Sequence, residues 1–172
     1  MGEYPGRCHA EVDSISSALI TEDRFAFKAA LPGLGRLLGL DIGTKTVGLA
    51  LCDAGWSIAT AAETIARRKF SKDLEQIKKI VAEQNVAGLV AGLPLNLDGT
   101  QSKQTQASKA FAQNLRVLEL PILLWDERWS TQAVERDLIA SDVSRKKRSK
   151  VIDQMAAAYI LQGAIDGLAA LD

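Results

Sequence analysis

The stretch that decides the fold is LGLDIGTKTVGLALCD, residues 38–53. A short run of Leu and Gly leads to Asp41, a turn with Gly and Thr follows, and apolar residues resume from Val47 to Cys52. Two apolar runs joined by such a turn predict a hairpin of buried strands. Asp41 would then end the first strand. An aspartate there either bonds the backbone of its own turn or serves a functional site.

Beyond the hairpin, the pattern predicts strands that alternate with helices. The further strands are expected at 56–65, 86–92 and 121–125. Apolar residues at helical spacing predict helices at 71–85, 102–118, about 131–140 and 150–168, with Ser71 as a candidate N-cap of the first. A three-stranded meander followed by strand–helix–strand crossovers makes a mixed sheet. The expected class is therefore α/β, with five strands flanked by helices.

The chain divides into three expected parts. Residues 1–16 mix Gly, Pro, Cys and His without a period, which predicts a flexible tail. Residues 17–35 are expected to be a helical extension, with Thr21 as N-cap and a break at Pro32. Residues 36–172 would form the functional domain, since 172 residues are close to the ~150 of one domain.

Composition excludes several classes of site. The only histidine, His9, lies in the expected tail, which argues against a Ser-His-Asp triad or a multi-histidine zinc site. Cys8 and Cys52 form neither a CxxC motif nor a disulfide framework, so the reducing cytoplasm is the expected compartment. No apolar run approaches the ~18 residues of a membrane span. We expect no membrane partner.

Acidic residues follow the predicted strands. Asp126 and Glu127 come directly after a buried strand, as Asp41 does, and parallel strands would bring these ends to one sheet edge. Asp153 lies on the small, apolar face of the last predicted helix, where an unpaired carboxylate is costly. The alternatives are that Glu127 forms a solvated pair with Arg128 and that Asp126 and Asp153 favour helix N-termini.

An acidic cluster of this kind suits a hard divalent cation. Mg²⁺ or Mn²⁺ prefers carboxylate oxygens and binds substrate phosphates, so phosphodiester hydrolysis needs no histidine. Glycoside hydrolysis needs two acids as well, but it usually uses aromatic platforms, and only 5% of these residues are aromatic. The sequence therefore favours a metal-dependent nuclease.

Basic residues are placed where a polyanion would need them. The 21 Lys and Arg residues balance 21 Asp and Glu residues, so nucleic-acid binding must come from local clusters. Residues 145–150 form one such cluster, expected to be a loop, and residues 67–72 form another. Each could contact phosphates or simply be solvated. The expected substrate-binding residues are Lys45, Asn96, Arg145, Lys146, Lys147, Arg148 and Lys150.

Four segments in this order resemble the YqgF (RuvX) family of RNase H-like nucleases. The family is described as pre-16S rRNA nucleases and as Holliday junction resolvases. The matching segments are LGLDIGTKTVGLALCD (38–53), GLPLNLDGT (92–100), WDERWST (125–131) and IDQMAAAYILQGAID (152–166). The resemblance extends from about residue 36 to about 168.

The resemblance implies an RNase H-like sheet, divalent-metal catalysis and a role in maturing the 5′ end of ribosomal RNA. It places the active-site acids at Asp41, Glu127 and Asp153, which would hold the metal, with Asp126 beside them. The other residues on motif positions are Lys45, Asn96, Arg128 and Thr131. Many members have a second basic residue in the turn where this chain has Thr46.

Two alternatives stay open at this point. The substrate could be a four-way DNA junction, whose symmetric cleavage favours a homodimer, whereas processing one RNA end suits a monomer. A non-catalytic nucleic-acid-binding factor would keep the basic residues but need no acidic cluster. Because the chain is neutral overall, a ribosomal particle could supply further contacts to the RNA.

Overall fold

The computed structural model describes residues 18–128 and 144–172, and for residues 145–154 it describes the backbone alone. The predicted tail, the predicted helix at 131–140 and Thr131 lie outside the described residues. The strands are β1 (Ile20–Thr21), β2 (Arg36–Ile42), β3 (Thr46–Cys52), β4 (Ala59–Ala66), β5 (Val86–Leu93) and β6 (Ile122–Asp126). The helices are α1 (Arg24–Ala30), α2 (Phe70–Glu83), α3 (Lys103–Asn114) and α4 (Arg145–Ala169), with a 3-10 turn at Leu115–Leu118.

The strands form one mixed sheet in the order β1-β6-β5-β2-β3-β4. β2, β3 and β4 make an antiparallel meander, and β5, β6 and β1 continue from β2 in parallel. The predicted α/β class, a mixed sheet flanked by helices, is confirmed. The predicted number of five strands is wrong by one, because β1 has only two residues and so shows no periodicity that a sequence could reveal.

Helices cover both faces of the sheet. α2 and α3 pack on one face, against alternate residues such as Leu38 and Leu40, and α4 packs with α1 on the other, against Leu37. All eight residues of the central strand β5 are buried, as expected for a parallel strand covered on both sides. Side chains alternate along a strand, so Asp41 projects on the α4 side.

The N-terminal extension is part of the core. Its helix is confirmed at α1, but the prediction that Thr21 caps it is wrong, since Asp23 Oδ1 accepts a hydrogen bond from Phe25 N at 2.9 Å. Thr21 instead ends β1, which pairs with β6. Phe27 has no exposed surface and lies in the core beneath α4.

Two helix starts differ from the prediction. α4 begins at Arg145 rather than Lys150, so the basic segment expected as a loop is helical. Arg and Lys are good helix formers, and the segment has no Gly or Pro to stop the helix. α2 begins at Phe70, and its N-cap is Lys69 rather than Ser71. Among the described helices, none is long and apolar enough to cross a membrane.

Candidate active site at the carboxyl ends of the strands

The parallel strands bring their carboxyl ends to one edge of the sheet. Leu40 of β2 pairs with Ala91 of β5, and Ala91 pairs with Leu124 of β6. The next residues along β2 and β5 are Asp41 and Gly92, which therefore lie level with each other. This is the edge at which sites of α/β sheets usually form.

Glu127 lies over β5 because Gly92 has no side chain. A Cβ added to Gly92 would stand 2.9 Å from Glu127 Cδ and 2.6 Å from Ile160 Cδ1 of α4. Glu127 N donates a hydrogen bond to Leu93 O at 3.2 Å, which extends the pairing of β6 with β5 past the end of β6. The Glu127 carboxyl group is thus placed between the sheet and α4.

Asp41 is half-buried on the same side of the sheet. A Cβ added to Gly48 of β3 would lie 3.6 Å from Asp41 Cβ and 3.7 Å from Ala157 Cβ. Asp41 is therefore next to the part of α4 that contains Ala157. The sequence predicts that Asp41 ends the first strand of the hairpin, and it lies one residue before the end of β2 at Ile42.

Asp153 lies one helical turn before Ala157 on α4. Leu161 packs on Gly39, two residues before Asp41, so α4 runs antiparallel to β2 and its earlier residues lie toward the carboxyl edge. The Asp153 backbone is about 6 Å further along the helix axis than Ala157. Nothing is described of its side chain.

The two described acids influence each other. The pKa of Glu127 is raised from 4.5 to about 7, first by burial and then by the negative charges of Asp41 and Asp126. Asp41 and Glu127 therefore form a like-charge pair in a partly desolvated place. The described side chains alone include no group of three residues suited to hold a metal.

Asp126 faces away from this pair and binds Arg128. Its Oδ1 and Oδ2 accept hydrogen bonds from Arg128 Nε at 3.0 and 2.9 Å, and Oδ2 also accepts one from Arg128 Nη2 at 2.5 Å. These hydrogen bonds lower the pKa of Asp126. The structure thus brings Asp41 and Glu127 together, whereas Asp126 is engaged by Arg128, two residues later in the chain.

Hydrogen bonds between side chains organise the loop after β5. Asn96 Nδ2 donates to Thr100 Oγ1 at 2.8 Å, and Thr100 N and Oγ1 both donate to Asp98 Oδ1. Arg128 Nη1 reaches Leu97 O at 3.5 Å and so connects this loop to the acidic site. The Asn96 side chain holds its own loop at the rim of the site.

The turn that follows Asp41 is held from two sides. Arg67 Nη1 donates to Gly43 O at 3.0 Å, and Arg67 N donates to Lys45 O at 2.8 Å. Gln104 Nε2 of α3 donates to Ile42 O at 2.7 Å. Lys45 itself is exposed. Arg67, for which the sequence suggested a phosphate contact, instead positions the turn.

The sequence indicates no positioning role for three residues of this site. Gly92 opens one of the matching segments and Arg67 belongs to the basic cluster 67–72, but neither pattern, nor any pattern around Gln104, shows that these residues position the acids. A glycine directly before the end of a buried strand was the one available signal, because glycine often marks a close approach. Arg67 and Gln104 contact residues that are distant in the chain, and the local spacing of residue types does not predict such contacts.

Residues 35–167 match the family model described as "RuvX: Holliday junction resolvase". A protein of Sphingopyxis alaskensis named "Putative pre-16S rRNA nuclease" is 62% identical over 150 residues, which are 87% of this chain and 99% of the relative. A protein of the same name from Zymomonas mobilis is 61% identical over 148 residues, 86% of this chain and 91% of its own.

Among solved structures, one titled "T. thermophilus RuvC in complex with Holliday junction substrate" superposes with a TM-score of 0.47 at 8% identity. The superposition covers 80% of this chain and 95% of that one. The family match spans most of the chain, and the two relatives named above exceed 60% identity over nearly their whole length. The chain belongs to the RuvX family.

Proposed function

We propose that this protein is a metal-dependent nuclease that hydrolyses phosphodiester bonds at the 5′ end of pre-16S ribosomal RNA during ribosome biogenesis. The observation that carries the proposal is the placement of Glu127 over Gly92 at the carboxyl edge of the sheet, where the negative charge of Asp41 acts on it. The names of the relatives support the RNA substrate.

The acids fit a hard divalent cation. A cation between two partly desolvated carboxylates removes their mutual repulsion and stabilises their charged forms. Carboxylate oxygens are also the ligands that Mg²⁺ and Mn²⁺ prefer. Asp41 and Glu127 would hold the ion, and Asp153 would complete the set from α4. When bound, the ion supplies an activated water nucleophile and stabilises the charge on the leaving oxygen.

The residues of the chain prepare this site in separate ways. Glu127, with a pKa of about 7, exchanges a proton near neutral pH, so cation binding must compete with that proton. Arg128, held by Asp126 at the rim, presents a positive charge to the phosphate backbone. Gly92 leaves the space that sets the position of the Glu127 carboxyl group.

We place the nuclease chemistry in residues 36–172, with 17–35 as an extension that packs on it and 1–16 as a tail. The proposed contacts to the substrate come from residues on both sides of the acids. They are Lys45, Asn96, Arg128, Thr131, Arg145, Lys146, Lys147, Arg148 and Lys150. The partner is structured precursor rRNA, free or in a ribosomal particle, and the compartment is the cytoplasm. A monomer suffices for a single RNA end.

The second candidate is resolution of four-way DNA junctions, which the printed description of the family favours. Its catalytic residues would be the same acids. Two symmetric cuts would then require a homodimer. The two candidates differ in substrate and assembly rather than in chemistry.

Parallel cleavage assays test both candidates. A precursor 16S 5′ segment and a synthetic four-way DNA junction are incubated with Mg²⁺, Mn²⁺ or EDTA. Wild type is compared with Asp153→Asn and with Asp166→Asn, a matched control further along α4. We expect metal-dependent cleavage of the RNA that is lost only in Asp153→Asn.

The other outcomes are decisive as well. Cleavage of the junction alone would move the function to DNA recombination. Inertness of wild type on both substrates with every metal would contradict the nuclease proposal and favour a binding factor for ribosome assembly.

A further inference from the structure

We propose that four exposed basic side chains around the Asp41 turn bind the phosphate backbone of the RNA outside the cleavage site. They come from the turn itself, from the loop between β4 and α2, and from the start of α3. The four residues are Lys45, Arg68, Lys69 and Lys103, which we call the turn-side patch. This inference rests on the proposed nuclease function and adds a second surface that holds its substrate.

The three segments of the patch are fixed to one another. Arg67 N donates to Lys45 O at 2.8 Å and its guanidinium donates to Gly43 O at 3.0 Å, which joins the loop to the turn. The same guanidinium lies 5.2 Å from the centre of the Phe111 ring of α3. The loop therefore has a defined position, and Arg68 and Lys69 project from it into solvent.

The start of α3 is joined to the same turn. Gln104 Nε2 donates to Ile42 O at 2.7 Å, and Lys103 precedes Gln104 in the first turn of α3. Ser102 caps this helix through a reciprocal pair of hydrogen bonds with Thr105. Lys103 is thus held near the turn that carries Lys45.

The acid within this region is turned inward. Asp73 of α2 has only 1% of its surface exposed, and its Oδ1 accepts a hydrogen bond from Arg68 N at 3.1 Å. Its Oδ2 is buried and has no hydrogen-bond partner in the described part of the chain. Asp73 therefore holds the loop from inside and adds no acidic group to the outer surface of the patch.

No ion pair with a described side chain neutralises the four residues of the patch. Elsewhere, five basic side chains in the described ranges pair with acids: Lys28, Lys72, Lys79, Lys109 and Arg128. None of the four patch residues forms an ion pair with the side chains described at residues 18–128, 144 and 155–172. In a chain of net charge zero, such an uncompensated group is the kind of local cluster that a polyanion needs.

The patch and the acids lie on opposite sides of the same edge. Arg67 packs on the side of the sheet covered by α2 and α3, whereas Asp41 and Glu127 lie on the α4 side. A nucleic-acid backbone that crosses the edge would meet the acids on one side and the patch on the other. The patch thus favours a substrate that extends well beyond the scissile phosphate.

A matched pair of variants tests the patch. Arg68→Gln/Lys69→Gln removes two charges from it, and Lys78→Gln/Lys79→Gln removes two exposed charges from the same α2 region, further along the helix. Binding of a fluorescently labelled pre-16S 5′ leader RNA is measured in EDTA at several salt concentrations. The cleavage assay is run separately with Mg²⁺.

We expect the patch variant to bind more weakly by roughly 10- to 30-fold at about 0.1 M salt. Each lost phosphate contact lowers the slope of the logarithm of the binding constant against the logarithm of the salt concentration by about 0.7 to 0.9. The slope of the patch variant, which lacks two charges, should therefore be smaller than that of wild type by about 1.5. The control variant should retain nearly the wild-type slope. Thermal unfolding should be unchanged in both variants, because substitutions at exposed positions rarely change stability.

Three results would overturn the inference. They are an unchanged slope in the patch variant, a loss of RNA affinity in the control variant equal to that in the patch variant, and no RNA binding by wild type. The proposed function fails differently. If wild type binds the RNA through the patch but never cleaves it with Mg²⁺ or Mn²⁺, the binding surface is supported and the proposed nuclease activity is contradicted.

Discussion

Glu127 occupies the space above Gly92 that a side chain would otherwise fill, with an added Cβ only 2.9 Å from Glu127 Cδ. Gly92 lies in β5 and Glu127 directly follows the neighbouring parallel strand β6, and the register of these strands brings the two residues together. The glycine therefore fixes where one of the two central carboxyl groups can lie. This relationship links the sheet register directly to the chemistry.

Gly92→Ala should disable the site. The new methyl group would collide with Glu127 and with Ile160, and overpacking of this kind costs about 1–3 kcal/mol of stability. Glu127 would also have to move away from Asp41. Urea unfolding and RNA cleavage of the variant should both show the loss.

Gly48→Ala is the matched control. A Cβ there would meet its neighbours at 3.6 Å or more, which is ordinary contact. It should change the free energy of unfolding by less than about 1 kcal/mol, as expected where no strain arises. Equal behaviour of the two alanine variants would contradict the steric role of Gly92.

Glu127 should make the metal-free protein less stable as the pH rises. Its folded pKa of about 7 lies above its ordinary 4.5, so the folded state favours the protonated form. That contribution to stability is fully present below about pH 4.5 and is lost as the pH rises through about 7. At about 1.4 kcal/mol per pKa unit, the loss amounts to about 3 kcal/mol.

Glu127→Gln removes this titration. In EDTA, the free energy of unfolding of the variant relative to wild type should increase by about 2–3 kcal/mol between pH 5 and pH 8. Urea titrations of both proteins across this range provide the measurement. A difference that stays constant with pH would show that the carboxyl group is not perturbed as described.

The sequence was sufficient to predict the fold class and the meeting of Asp41 with Glu127. Both predictions depend on strand alternation and on parallel strands ending at one edge, which are local patterns combined with a simple topology rule. Asp126 is different, because the period of two along β6 turns it to the other face from Glu127. Its engagement with Arg128 depends on side-chain geometry that spacing alone does not determine.

Asp126 should act on cleavage through Arg128. Asp126→Asn weakens the ion pair with Arg128 but leaves Asp41 and Glu127 in place. We therefore expect the cleavage rate to fall about 10-fold, equivalent to about 1.4 kcal/mol in activation free energy. Glu127→Gln should lose far more. If the two residues work as a unit, adding Arg128→Gln to Asp126→Asn should cause little further loss.

Strictly additive losses in this double-mutant cycle would mean that Asp126 and Arg128 act independently. A loss in Asp126→Asn as large as that in Glu127→Gln would place Asp126 among the catalytic residues themselves. The kinetic constants of five proteins distinguish these results: wild type, Asp126→Asn, Arg128→Gln, the double variant and Glu127→Gln.

The N-terminal extension should be essential for stability. Phe27 has no exposed surface and packs in the core beneath α4, so Phe27→Ala should cost about 3–5 kcal/mol. Phe25, 65% exposed on the same helix, provides the control, and Phe25→Ala should cost less than about 0.5 kcal/mol. Urea unfolding of both variants tests this, and a cost below 1 kcal/mol for Phe27→Ala would contradict it.

The sequence could not predict this attachment. Helical spacing identified a helix in the extension, but it does not show what the helix packs against. The pairing of Ile20 with Ile122 joins residues a hundred positions apart, and a two-residue strand gives no pattern. The same limit applies to Gln104, whose contact with Ile42 crosses from α3 to the end of β2.

Calorimetric titration with Mn²⁺ tests the central claim most directly, because it needs no knowledge of the substrate. The titration compares wild type with Asp41→Asn and Glu127→Gln. Asp98→Asn, on the exposed loop after β5, is the control. Our account predicts that wild type and Asp98→Asn bind Mn²⁺ with the same affinity. Asp41→Asn and Glu127→Gln should each lose at least about 100-fold in affinity, because mutating even a residue that only hydrogen-bonds to a metal ligand lowers metal affinity by about 10- to 100-fold. Undiminished Mn²⁺ binding by both Asp41→Asn and Glu127→Gln would contradict it.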